Sequence, residues 1–182
     1  MKLGICSDHA GYQLKEQVKE WLAAIQIECV DYGTHSEERC DYPDYAHQLA
    51  FAIQMGTVDR GIAICGTGNG MAMTLNKYNV IRAGLAWNED IAKLIRAHND
   101  ANVLVMPARF IETAEAERCL HAFLDTPFEG GRHKERIDKM VLPTCWGLLT
   151  LSDGGSRDLF SIHSDRSDRA SARPLVGATE GS

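Results

Sequence analysis

No Cys-x-x-Cys pair occurs in this sequence, and its six cysteines, at positions 6, 29, 40, 65, 119 and 145, show no zinc-type spacing with the seven histidines. No metal site is expected from them. No stretch approaches the roughly 20 apolar residues of a membrane span, and the apolar run within Met1 to Cys6 is too short for a signal peptide. The chain reads as cytoplasmic, with no membrane partner and with its cysteines as free thiols. There is no lysine or arginine stripe either. A net charge of −6 argues against nucleic acid as the main partner, so any phosphate binding is local.

With 182 residues and 45% hydrophobic content, the chain suits one domain of ordinary size with a real core. It is long enough for an enzyme and short enough to need a partner subunit for a deep site.

The most informative stretch is Gly61-Ile-Ala-Ile-Cys65-Gly66-Thr67-Gly68-Asn69-Gly70. A β-branched run that enters alternating glycines reads as a buried strand leading into a cradle of bare N–H groups. A thiol at the lip of that cradle is placed for acid–base or nucleophilic chemistry, although a buried structural cysteine is the commoner fate of such a residue. Two nucleotide signatures are incomplete here. The dinucleotide fingerprint would need its third glycine at position 71, which is Met71, and Asn69-Gly70-Met71 lacks the closing Lys-Ser/Thr of a mononucleotide P-loop. The cradle suits an anion or a developing oxyanion.

The first 140 or so residues alternate between two periods. Leu3 to Ser7, Ile27 to Asp31, Gly61 to Cys65, Arg82 to Ala86 and Val103 to Met106 read as buried parallel strands. Between them, Leu14, Val18, Leu22 and Ile25 form one apolar helical stripe, with Lys15, Glu16, Lys19 and Glu20 on the other face. Similar stripes run from Tyr45 to Met55, Glu89 to Ala97 and Thr113 to Leu124. This predicts a three-layer α/β/α sandwich with a Rossmann-like, five-stranded parallel sheet. Ligands of such sheets bind beyond the carboxyl ends of the strands, where Asp8-His9, Cys65 to Gly70 and Trp87-Asn88 would converge.

The end of the chain departs from this pattern. From Thr144 onward there are seven serines and no lysine, and Ser164-Asp165-Arg166-Ser167-Asp168-Arg169 has no apolar periodicity. Residues 143–182 read as a flexible Ser/Asp/Arg-rich tail appended to a domain of residues 1–142, with only Trp146 to Leu151 able to form one more strand. Leu148 to Arg157 faintly resembles the opening of a molybdenum-cofactor biosynthesis domain.

Five separated motifs, Ser7-Asp8-His9-Ala10-Gly11, Asp41-Tyr42-Pro43-Asp44-Tyr45-Ala46, Cys65 to Gly70, Arg96-Ala97-His98-Asn99-Asp100-Ala101-Asn102 and Glu129-Gly130-Gly131-Arg132-His133, resemble the ribose-5-phosphate isomerase B family. That family includes allose- and galactose-6-phosphate isomerases. The resemblance implies cofactor-free and metal-free interconversion of ribose 5-phosphate and ribulose 5-phosphate through a cis-enediolate, in the non-oxidative branch of the pentose phosphate pathway. It also implies a homodimer or dimer of dimers whose sites are shared between subunits.

Position by position, the resemblance makes Cys65 the general base between C2 and C1 and His98 the ring-opening acid. Thr67 and the amides of Gly66, Gly68, Asn69 and Gly70 would face the enediolate. Asp8, His9 and Asn99 become sugar-phosphate contacts, and Arg109, Arg132 and Arg136 phosphate ligands. A free thiol titrates near 8.5, so the site must favour the thiolate. Donors fixed on an oxyanion are worth roughly 3 kcal/mol each. His98 ends a helix, where the dipole favours positive charge, and Arg132 and Arg136, four apart, would share a helical face. Asp8 also fits an N-cap for the helix starting at Gly11, and Asp44 fits another cap. Tyr42, Tyr45, His35, His47, His121, His133 and His163 are given no catalytic role. A hexose-phosphate isomerase is the nearest alternative; a non-catalytic sugar-phosphate-binding or thiol redox-sensing module is the alternative of a different class.

Overall fold

A computed structural model describes residues 1–140. The proposed tail 143–182, with the strand at Trp146 to Leu151, Cys145 and His163, lies outside the described residues. Chain order is β1 (Leu3–Ser7), α1 (Tyr12–Ala24), β2 (Cys29–Asp31), α2 (Tyr42–Gln54), β3 (Arg60–Cys65), α3 (Asn69–Leu75), β4 (Ala83–Leu85), α4 (Glu89–Ala97), β5 (Val103–Pro107), α5 (Thr113–Asp125) and α6 (Arg132–Asp138). The five strands form one parallel sheet in the order β2-β1-β3-β5-β4. No helix among the described residues is long and apolar enough to cross a membrane.

Alternation along the central strands divides the core in two. Ile62 and Ile64 face one layer, with Val18 and Leu22 of α1 and Leu120 and Phe123 of α5. Ala63 and Cys65 face the other, with Leu49 of α2 and Met71 of α3. Strands buried on both faces read as continuous apolar runs, which is why β1, β3 and β5 were legible. β2 and β4 end up half-buried, because they are the sheet edges.

One residue of the first stripe corrects the expectation. Lys15, placed on the polar face of α1 by periodicity, is fully buried. Its ammonium pairs with Asp31 at the end of β2 and lies 2.8 Å from Glu16. Lys19 also reaches Asp31, at 2.8 Å. Burial alone would raise the Asp31 pKa, but hydrogen bonds from Lys15 and Lys19 outweigh it and hold the carboxyl below its usual range. Asp31→Asn should destabilise the fold by about 3 kcal/mol at neutral pH, because a buried ammonium loses its main partner. A carboxyl with a depressed folded pKa stabilises above its unfolded value of about 3.9 and loses that stabilisation as pH falls through the folded value. The difference between wild type and variant in urea unfolding should therefore shrink below about pH 4.

Candidate active site

β1 leads to β2 on one side and the chain then returns to β3 on the other, so the crevice between the carboxyl ends of β1 and β3 is the switch point of the sheet. Cys65 is the last residue of β3 and is buried. The Gly68 N–H donates to its Sγ over 3.2 Å, a bond that a thiolate accepts better than a thiol. Gly68 is favoured as glycine by its φ of +75°, and a Cβ there would also lie 2.3 Å from Leu85 Cδ1, so that side chain would have to shift. A Cβ at Gly70 would strike the Tyr42 ring at 2.5 Å. Tyr42, given no role from sequence, thus stands over the cradle. N–H groups at the start of α3 have no partners within the helix.

The neighbouring loops complete this edge. Asp8, buried directly after β1, accepts from the Gly11 N–H at 3.0 Å through Oδ1. It closes the turn before α1, whose capping position belongs to Gly11 rather than to Asp8. His9 is pinned through Nδ1 to the backbone of Cys40, 3.2 Å from the carbonyl oxygen, which leaves Nε2 for a ligand. After β5, the Ala108 and Arg109 N–H groups donate to the carbonyls of Cys65 and Gly66 at 2.9 and 3.1 Å. The Arg109 side chain lies over the Gly66 backbone. Thr67 and Asn69 are exposed at the mouth of the loop. Burial pushes the thiols of Cys6, Cys29 and Cys119 up, Cys29 to about 11 and Cys119 to about 12, so these three stay protonated.

Two sequence expectations at this edge change. Asn88 is spent as the N-cap of α4, its Oδ1 accepting from the Ile91 N–H at 2.9 Å. Asp44 lies inside the first turn of α2, and the capping position belongs to Asp41.

His98, Asn99, Arg132 and Arg136 do not lie at the rim of Cys65 in the same chain. α4 runs back against the strand direction, and its nine residues carry the chain about 13 Å away from the rim. His98 caps that far end. Just beyond it, the Asn102 carbonyl accepts from Gly61 N–H, at the amino end of β3. α6 gathers at the same end. The Glu129 N–H donates to the Ala97 carbonyl at 3.0 Å, and His133 stacks on His98 with 4.1 Å between ring centroids and 5° between planes. Burial first, then His98 and Arg132, hold His133 below the usual imidazole pKa. Arg132 and Arg136 are exposed beside this pair on α6. The described residues therefore fall into two groups, with thiol, cradle and Arg109 on the carboxyl edge and histidine, Asn99 and an arginine pair on the amino edge.

The model of the ribose/galactose isomerase family matches residues 3–140. This chain belongs to that family. Among relatives of the family, ribose-5-phosphate isomerase B of Escherichia coli is 42% identical over 140 residues, covering 77% of this chain and 94% of the relative. Of the solved structures, a ribose 5-phosphate isomerase from Thermotoga maritima shares 49% identity at a TM-score of 0.75, over 76% of this chain and 96% of that one. Ribose-5-phosphate isomerase B from Mycoplasma genitalium, solved with bound ribulose-5-phosphate, shares 40% identity at a TM-score of 0.74, over 76% and 93%. The part of the chain outside the family match begins where the described residues end.

Proposed function

We propose that this chain interconverts ribose 5-phosphate and ribulose 5-phosphate in a site made from two copies, the carboxyl edge of one meeting the amino edge of the other. The observation that carries this is the separation just described: the thiol in its amide cradle and the histidine with its arginines lie at opposite ends of the sheet. Neither half-site alone holds both a base for C2 and a group for the ring oxygen.

In this reading, His98 of one copy donates a proton to the ring oxygen as the C1–O4 bond breaks, and the C1 hydroxyl gives its proton to solvent as C1 becomes the aldehyde carbon. Arg132 and Arg136 beside His98, with Arg109 from the other edge, hold the phosphate dianion. Asp8, His9 and Asn99 take sugar hydroxyls and fix the open chain. The Cys65 thiolate removes the C2 proton. The electron pair forms C1=C2 and leaves negative charge on O1, which the N–H groups of the Gly66 to Gly70 loop and the Thr67 hydroxyl face. A proton moves from the C2 hydroxyl to O1, and the Cys65 thiol returns its proton to C1, giving the ketose. No oxidant or reductant is consumed.

The test is turnover of ribose 5-phosphate by the full chain in the presence of EDTA, followed by NMR in deuterated water. Appearance of ribulose 5-phosphate with solvent deuterium at the exchanging carbon is the expected result. Binding of ribose 5-phosphate without product or exchange would instead make the chain a binding module.

A further inference from the structure

We propose that His98, Glu129 and His133 form a binding site for a divalent ion of the zinc class, and that its occupancy withdraws His98 from substrate. The Nε2 atoms of His98 and His133 lie 3.7 and 3.6 Å from Glu129 Oε2, and one ligand atom from each residue falls within 4.8 Å of the other two. Zinc with nitrogen and oxygen ligands at about 2.0 to 2.1 Å in a tetrahedron sets those atoms about 3.4 Å apart. The carboxylate is thus within a few tenths of an ångström of the spacing to both imidazoles. The two rings stand parallel, so capture of an ion tilts each until the lone pairs converge.

Three separate elements bring the ligands together. His98 ends α4, His133 lies in the first turn of α6, and the Glu129 backbone is tied to Ala97. Two imidazoles and one carboxylate suit zinc, cobalt or nickel; magnesium and calcium favour all-oxygen sets. The Glu129 carboxylate offsets part of the repulsion from Arg132 and Arg136. Glu129 is exposed and His98 partly so, which leaves an entry path and a fourth position for water.

Ion binding stands on this geometry alone; loss of activity on occupancy rests on His98 being the ring-opening acid. The full chain, stripped of metal, is titrated with Zn2+ against a chromophoric chelator and with Co2+ by visible absorption. Expected are one ion per chain and a tetrahedral Co2+ spectrum without a thiolate charge-transfer band. Glu129→Gln, at an exposed position, should weaken binding at least about tenfold, the scale seen for loss of even an outer-shell partner. Cys65→Ala should leave binding unchanged. Turnover should fall with Zn2+ occupancy and return on EDTA, and Glu129→Gln should move the inhibition midpoint by the same factor as the affinity. Binding unaffected by Glu129→Gln and by His133→Asn, or lost in Cys65→Ala, overturns the site. Binding that depends on Glu129 while turnover is untouched keeps the site and overturns the acid role of His98.

Discussion

Cys65→Ala should lower kcat for ribose 5-phosphate by roughly 10²- to 10⁴-fold, the range a positioned general base supplies. The reason lies in what surrounds the sulfur. Cys65 is buried at the end of the central strand and accepts the Gly68 N–H, so its sulfur is fixed in place beside the amide cradle. Burial pushes up the thiols of Cys6, Cys29 and Cys119, which keeps those three protonated. The variant should also lose solvent exchange at C2 while inorganic phosphate still protects against thermal unfolding, since the proposed phosphate ligands are arginines. Because alanine is smaller and apolar in an apolar setting, the fold should persist, and circular dichroism checks that. Activity within tenfold of wild type would remove Cys65 from the mechanism.

The strands were readable because a parallel sheet covered by helices on both faces leaves continuous apolar runs, and the glycine cradle because its backbone at Gly68 takes a positive φ that favours glycine. Periodicity failed at Lys15, which sits one residue beyond Leu14 on α1 and so points toward Asp31 of β2; a strand three residues long gives no pattern to announce that charge. His98 and Asn99 lie away from the Cys65 rim for a topological reason. Loops that follow strands land on the carboxyl edge, whereas His98 and Asn99 follow a helix and land on the opposite one. Glu129 and His133 belong to a motif visible in the sequence. Their pairing with His98, more than thirty residues away, depends on α6 folding back over the end of α4.

That separation of edges yields the second large effect. Cys65→Ala and His98→Asn homodimers should each be nearly inactive, and mixing them with subunit exchange should restore about a quarter of wild-type activity per chain. In a two-fold dimer whose sites draw Cys65 from one copy and His98 from the other, a hybrid has one site lacking both groups and one site holding both. Random reassortment makes about half of the dimers hybrids, and half of the sites in each are intact. If both groups served the same copy's site, every site in a hybrid would lack one of them and no activity would return. The recovered rate, read after co-expression of differently tagged variants and isolation of the hybrid, therefore distinguishes a shared site from two self-contained ones. The purified hybrid should run at about half the wild-type rate per dimer with an unchanged KM, because its one complete site has every group in place.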